Sequence, residues 1–285
     1  MLEEVYKKKE DIFKIIKKAG NEILKIYSGN DFQVKMKSDQ TPLTIADKKS
    51  NDVIVNSLKE LFPEVPILSE ESEKTPYNLR KKWKYLWMVD PLDGTKEFIK
   101  KNGEFSINLA LIKSGKPLFG IIYLPVLKLF YYAGKRYGAY KIEKNGKTIG
   151  LKPEKDNKNY VDRIIKVIFS KSHYNQKTRE YVDTIKKQYC YTEMISVGSA
   201  MKLAYLAEGK ADIYPRLAPT MEWDIAAGQI IVEETGGKVI DFLGKKPLIY
   251  NKENLRNPWF LAFGAKIIAL KKVQGKIDIG KKDAR

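Results

Sequence analysis

From residue 2 to residue 27 apolar side chains recur at helical spacing: Val5, Ile12, Ile15, Ile16, Ala19, Ile23 and Ile26. The pattern predicts one amphipathic helix, ended by Ser28-Gly29-Asn30. Phe32, Val34 and Met36 then alternate with polar neighbours, the two-residue period of a short strand. Thr44-Ile45-Ala46-Asp47 has the layout of a capping box and opens a second helix, which Pro63 closes. On local grounds Asp47 is therefore a helix-start residue. Pro66 to Ser69 reads as a strand leading to Glu70-Glu71, and the polar stretch Ser72 to Lys82 reads as a loop.

The apolar run Tyr85 to Val89 delivers two carboxylates, Asp90 and Asp93, onto a segment that carries both Pro91 and Gly94. It reads as a strand running into a tight turn. Strands are then predicted over Phe105–Ile112, Leu118–Leu124, Lys128–Ala133 and Ala139–Ile142, with Ser114-Gly115 and Asn145-Gly146 as turns of an antiparallel meander. The charged stretch Lys152 to Asn159 marks a domain boundary, giving an N-terminal α+β domain over 1–150 and a C-terminal α/β domain over 151–285. In the second half, strands are predicted at Ile164–Phe169, Ala211–Tyr214, Lys238–Asp241 and Trp259–Phe263. Helices are predicted at Gln176–Gln188, Ala200–Ala207 (with Ser199 as cap) and Asp224–Glu234. The lysine-rich residues after Ala269 read as a frayed end. The whole is mixed α/β with two sheet layers.

Composition narrows the function. A chain of 285 residues with 43% hydrophobic content can bury a large core. No apolar run approaches the roughly 20 residues of a membrane span, and the N-terminus lacks the layout of a signal peptide. One cysteine, Cys190, leaves no internal disulfide and fits a reducing, cytoplasmic setting. The net charge of +18 has two readings, an anionic partner or a lysine-rich solvated surface. The basic residues are spread along the chain, which favours the second, and no zinc-finger or RNA-binding signature supports nucleic acid as a partner.

Several chemistries drop out. Neither standard nucleotide cradle is present. His173 is the only histidine, which removes His-ligated zinc and leaves a Ser-His-Asp triad one candidate. Cys190 lacks the arginine six residues on that a cysteine phosphatase loop needs, and Asp90 and Asp93 are spaced by three where a haloacid-dehalogenase pair stands two apart. Carboxylates remain. Asp90 and Asp93 at a strand end suit a hard cation such as Mg²⁺, which takes oxygen ligands; the competing reading is ordinary Asp turn chemistry. Asp224, in Glu222-Trp223-Asp224-Ile225-Ala226-Ala227-Gly228, is either a metal ligand or a helix-start acid favoured by the macrodipole. Glu70 is a third contributor, and Glu71 reads as an exposed loop acid.

Glu70-Glu71-Ser72, Asp90-Pro91-Leu92-Asp93-Gly94-Thr95 and Trp223-Asp224-Ile225-Ala226-Ala227-Gly228 together resemble the motifs of the inositol monophosphatase superfamily, lithium-sensitive metal-dependent phosphatases. The segments Gly94-Thr95-Lys96-Glu97-Phe98, Asn102-Gly103-Glu104-Phe105, Ser170-Lys171-Ser172-His173, Ser196 to Lys202 and Tyr214 to Thr220 resemble its 3′(2′),5′-bisphosphate nucleotidase branch. The resemblance implies a five-layer αβαβα sandwich with the site between the halves. It implies that Glu70, Asp90 and the Leu92 carbonyl hold one Mg²⁺, that Asp90, Asp93 and Asp224 hold a second, and that a third, weaker ion lies near Glu70. Thr95, hydrogen-bonded to Asp47, would activate the attacking water. Gly94 and Thr95 N–H groups would hold the phosphate, and His173, Ser199, Lys202 and Arg216 the nucleotide. The implied substrate is adenosine 3′,5′-bisphosphate, giving AMP and phosphate, with the 3′-phosphosulfate nucleotide as a second. The rival readings are an inositol or fructose-1,6-bisphosphate phosphatase on the same metals, and a catalytically silent nucleotide- or RNA-binding protein. The expected partner is thus a small nucleotide bisphosphate, and the chain is expected to be a monomer or a homodimer.

Overall fold

The computed structural model describes residues 1–29, 32–36, 42–152, 164–170, 174–189 and 191–268. The chain opens with helices α1 (Leu2–Lys7) and α2 (Lys9–Tyr27), a two-strand ribbon of β1 (Lys35–Met36) and β2 (Pro42–Leu43), and helix α3 (Ile45–Leu61). Next come β3 (Ile67–Ser69), the single turn α4 (Tyr77–Arg80), β4 (Tyr85–Asp93) and the short helix α5 (Thr95–Ile99). A meander follows: β5 (Ser106–Lys113), β6 (Lys116–Leu124), β7 (Leu129–Gly134), β8 (Gly138–Ile142) and β9 (Thr148–Leu151). β3 to β9 make one seven-stranded sheet in sequence order, antiparallel apart from the β3–β4 pair.

The second half contributes β10 (Ile165–Phe169), α6 (Gln176–Gln188), β11 (Thr192–Ser196), α7 (Met201–Ala207), β12 (Ile213–Arg216), α8 (Glu222–Glu234), β13 (Lys238–Asp241) and β14 (Phe260–Phe263). Its five strands form a separate sheet in the order β11-β10-β12-β14-β13.

Side-chain alternation along β4 explains the layering, since successive residues of a strand face opposite sides. Trp87 and Val89 join Ile12, Ile16 and Ile23 of α2 and Ile54 and Leu58 of α3 in one core. Leu86 and Met88 face the other way, into a core with Leu203, Ala226, Ala227 and Ile230 of α7 and α8 and with Tyr214, Phe260 and Ala262 of the second sheet. The far face of that sheet packs Ile165, Val167, Ile213 and Phe263 against Val182 and Ile185 of α6. The order is helix, sheet, helix, sheet, helix: the expected five-layer αβαβα sandwich. α8 lies close on the first sheet because Gly120 of β6 has no side chain; a Cβ there would meet the Ala227 carbonyl at 2.7 Å.

Several local expectations are corrected. The first helix breaks at Lys8 (φ −99°, ψ 8°), and Tyr6 then folds onto the sheet, stacked 4.1 Å from Tyr137. Tertiary contact outweighs helical continuity there. The strand expected over residues 32–36 shrinks to β1, because Phe32 packs on Phe98 while Val34 and Met36 stay exposed. A helical turn, α4, interrupts the loop expected at Ser72 to Lys82. β9 and β11 were not anticipated: neither has a fully buried side chain, so no apolar stripe marks them. Ser199 does not cap α7; Ala200 holds the N-cap position with no side-chain bond, and Ser199 sits at φ 43°. Most of the expected boundary stretch, the tail after Ala269, and Cys190 lie outside the described residues.

Candidate functional site

β4 carries the acids. With a two-residue period, Asp90 and Asp93 would face opposite sides of a regular strand. Asp90 pairs with Asn108 and Asp93 with Ser106, so two residues of β4, Pro91 and Leu92, oppose Ile107 alone. This β-bulge shifts the parity and turns both aspartates to one cavity. It also accommodates Pro91, which has no N–H for a ladder, and the Pro91 carbonyl instead accepts from Ser50 Oγ at 2.7 Å. Gly94, at φ 93°, then turns the chain into α5 in a conformation that costs glycine little.

Three carboxylates from three elements converge. Glu70 follows β3, with its N–H on the Val89 carbonyl at 3.0 Å. Asp224 sits in the first turn of α8 and accepts the Met221 N–H at 2.9 Å. Asp90 accepts the Leu92 N–H at 3.1 Å. Ligand oxygens of Glu70, Asp90 and Asp224 lie within 4.8 Å of one another. Asp93 lines the same cavity but stands outside this triplet; its Oδ2 is 3.5 Å from both Ser106 Oγ and Asn108 Nδ2. Glu71, expected to be exposed, is partly buried.

Thr95 and Asp47 meet as expected. Asp47 completes the capping box of α3, taking the Thr44 N–H (2.8 Å) and hydroxyl (2.6 Å) on Oδ2. Its other oxygen accepts the Thr95 hydroxyl at 3.1 Å, and the Leu92 carbonyl lies 3.4 Å from the same hydroxyl. One buried aspartate thus serves both a helix start and the site.

The opposite wall comes from the second half. Lys202 on α7 and Arg216 at the end of β12 are both buried. The Lys202 ammonium donates to the Ser199 carbonyl at 2.6 Å and lies 5.6 Å over the Tyr214 ring. Arg216 Nη2 donates to the Pro219 carbonyl at 2.9 Å, while its Nε and Ser199 Oγ are buried with no hydrogen-bond partner among the described residues. His173 lies outside the described residues. The cavity between the walls measures about 420 Å³, and Ser170, Tyr214, Thr220 and Arg256, which the sequence did not single out individually, also line it. Arg256 arrives by an antiparallel bridge to Met221, a pairing with no local sequence signal.

Electrostatics separates the walls. Burial, then repulsion from Glu70 and Asp93, holds Asp90 well above the usual carboxylate range, and burial with Asp93 and Glu70 does the same to Asp224. Burial raises Asp93 to about 6, against the opposing pull of Lys202. Burial lowers Lys202 to about 8, opposed by Asp93. Buried carboxylates that raise one another are costly as anions unless a cation joins them. The triplet is an all-oxygen donor set, which fits a hard divalent cation and not a soft one.

The five-layer sandwich and the carboxylate cluster in its cavity fit a metal-dependent enzyme, and comparison with known proteins gives the family. The profile of the inositol monophosphatase family matches residues 2–268, and the chain belongs to that family. The 3′(2′),5′-bisphosphate nucleotidase CysQ of Salmonella typhimurium is 38% identical over 252 residues, spanning 88% of this chain and 97% of that protein. The CysQ of Buchnera aphidicola is 40% identical over 236 residues, spanning 82% and 84%. The crystal structure of CysQ from Bacteroides thetaiotaomicron superposes with a TM-score of 0.78 at 42% identity, covering 88% of this chain and 94% of that one. An IMPase of Thermotoga maritima gives 0.69 at 26% identity over 95% and 98%. Among the described residues no helix is long and apolar enough to cross a membrane.

Proposed function

We propose that this chain is a Mg²⁺-dependent 3′(2′),5′-bisphosphate nucleotidase that removes the 3′-phosphate of adenosine 3′,5′-bisphosphate, giving AMP, and that also takes the 3′-phosphosulfate nucleotide. The observation that carries the reading is the pairing of an acidic triplet on one wall of the cavity with two buried cations, Lys202 and Arg216, on the other. Similarity to CysQ proteins over 88% of the chain supports the same substrate. A bisphosphate nucleotide has one phosphate to cleave and one to hold, and the two walls suit those separate tasks.

Glu70, Asp90, Asp224, Asp93 and the Leu92 carbonyl would hold two or three Mg²⁺ ions between the half formed by residues 1–150 and that formed by 151–285. Bound there, Mg²⁺ supplies neutralisation of phosphoryl charge and a lowered pKa for an attacking water. Thr95 donates its hydroxyl hydrogen to Asp47, which leaves the Thr95 oxygen lone pairs to accept a proton from the nucleophile. Asp47 is held by two bonds from Thr44 and keeps Thr95 in that orientation. Gly94 and Thr95 offer backbone N–H groups to the transferred phosphoryl. Arg216 Nε and the Lys202 ammonium bind the non-reacting phosphate, and Ser199 Oγ donates to the nucleotide. His173 is assigned to the base.

Phosphate release from adenosine 3′,5′-bisphosphate, inositol 1-phosphate and fructose 1,6-bisphosphate, each with and without Mg²⁺, tests the reading. The bisphosphate nucleotide should have the largest kcat/KM, and chelation should abolish it. A preference for either competitor overturns the substrate assignment, and turnover that survives chelation overturns the metal assignment.

A further inference from the structure

The acidic triplet is assembled from two parts of the chain. Glu70 and Asp90 end neighbouring strands of the first sheet, whereas Asp224 rides on α8. Carboxylates this close repel one another, so something must hold the start of α8 against the strand ends. The segment between β3 and β4 carries two cations that reach across to it. The Lys74 ammonium donates to the Glu70 carbonyl and, at 3.0 Å, to that of Ser72. It also lies 5.1 Å over the ring of Trp223, the residue before Asp224. Arg80, only 3% exposed, donates from Nη1 to Asn251 Oδ1 at 2.8 Å and from Nη2 to the Glu253 carbonyl at 2.9 Å. Asn251 Nδ2 returns a bond to the Arg80 carbonyl at 2.8 Å.

The link continues into α8. The backbone N–H groups of Asn251 and Lys252 both donate to the carboxylate of Glu222, which is fully buried and also paired with the Lys252 ammonium. Glu222 opens α8, and its own N–H is fixed on the Leu255 carbonyl at 2.9 Å. Asp224 follows one residue after Trp223.

We propose that residues 70–80 form a clasp that sets Asp224 against Glu70 and Asp90, with Arg80 and Lys74 as positioning residues for divalent-cation affinity. The inference rests on the metal reading above. Mg²⁺ demands near-ideal octahedral geometry, so a carboxylate displaced by a fraction of an ångström loses affinity while the fold survives. Outer partners of metal ligands are worth about 10- to 100-fold in affinity, and the clasp acts one step further out, so its loss should weaken Mg²⁺ binding roughly three- to tenfold.

The test is calorimetric titration of Mg²⁺ into the metal-free full-length chain, as wild type, Arg80→Leu and Lys74→Met, with Tm measured alongside. Lys141→Met is the control. Lys141 pairs with Glu208 at 2.8 Å, joining the same two parts of the chain at the C-terminal end of α7. Both clasp variants should bind Mg²⁺ more weakly than wild type, and Lys141→Met should lower Tm with Mg²⁺ affinity unchanged. Wild-type isotherms in both clasp variants overturn the clasp, as does an equal loss of affinity in Lys141→Met. Lys74 is exposed, so its variant remains informative if Arg80→Leu fails to fold. A wild-type chain that takes up no Mg²⁺ overturns the metal reading itself, a result distinct from the other two.

Discussion

The two walls of the cavity are built on opposite electrostatic terms. One wall gathers the carboxylates, Glu70, Asp90 and Asp93 from the first sheet and Asp224 from α8, and orients them with neighbouring donors: the Leu92 N–H on Asp90 at 3.1 Å, the Met221 N–H on Asp224 at 2.9 Å, and Ser106 and Asn108 each 3.5 Å from Asp93. The other wall concentrates donors, two of which, Arg216 Nε and Ser199 Oγ, are buried with no partner among the described residues. Both atoms belong to residues that line the cavity, where a bound anionic nucleotide would complete them. The acidic wall is self-consistent in geometry and strained in charge, whereas the basic wall is modest in charge and unsatisfied in hydrogen bonding. That contrast suits a polyanion bridged to one wall by cations and to the other directly.

The largest effect should come from cutting the acidic wall. Asp90→Asn or Asp93→Asn removes a carboxylate from the crowded set and should lower Mg²⁺-dependent kcat/KM by at least about a hundredfold. Asp90→Asn should also raise the Tm of the metal-free protein, because a buried anion repelled by Glu70 and Asp93 is gone. Activity near wild type at saturating Mg²⁺ would break the assignment, and a lower metal-free Tm would break the account of strained charge.

Next in size is the pH dependence of that strain. Asp93 is raised from 3.8 to about 6, and Asp90 and Asp224 are raised well above 3.8. A carboxylate with a raised folded-state pKa contributes stability that is present below its unfolded value and lost as pH rises through its folded value. The metal-free Tm should therefore fall between pH 5 and pH 8, and added Mg²⁺ should remove most of that fall. Thermal melts with chelator and with Mg²⁺ at both pH values would check this. A metal-free Tm that rises over the interval contradicts the crowding.

How much of this contrast the sequence revealed depends on how local each feature is. Asp90-Pro91-Leu92-Asp93-Gly94-Thr95 lies within a few residues, so its acids were legible, and the capping box at Thr44 to Asp47 was read correctly from spacing alone. That a bulge would bring Asp90 and Asp93 to one cavity was not legible, because pairing with β5 sets it. Arg80 and Asn251 are 171 residues apart, and no local pattern foretells their bond. Ser199 misled for the opposite reason: a serine before a helical run suggests a cap, but its hydroxyl is turned into the protein at a left-handed backbone position. β9 and β11 were missed because periodicity reports burial, and neither strand has a fully buried residue, whereas the edge strands β3 and β13 do.

On the basic wall the expected losses are selective. Arg216→Ala removes a buried guanidinium whose Nε has no hydrogen-bond partner among the described residues. A hydrogen bond to a charged group contributes about 1.5–3 kcal/mol, so kcat/KM for adenosine 3′,5′-bisphosphate should fall roughly ten- to a hundredfold. Hydrolysis of a small monophosphate such as inositol 1-phosphate should change far less, because it has no second phosphate to hold. Equal losses on both substrates would make Arg216 structural and erase the division of labour between the walls.

The smallest effect tests whether the acidic wall is pinned redundantly. Thr44 gives Asp47 two bonds, one from its backbone N–H and one from its hydroxyl, and its hydroxyl also caps the Ala46 N–H at 3.2 Å. Thr44→Ala deletes the hydroxyl and keeps the backbone donor. The lost N-cap should cost about 1 kcal/mol of stability, a drop in Tm of roughly 2–4 °C for a chain of this size. Asp47 should still hold Thr95, because the surviving N–H bond fixes one carboxylate oxygen and the 3.1 Å bond to Thr95 uses the other. Turnover should therefore fall by less than about threefold, well below the loss set for Arg216→Ala. A tenfold or larger fall in kcat with unchanged KM would mean that the Thr44 hydroxyl alone aligns Asp47. The acidic wall would then depend on single bonds as much as the basic wall does.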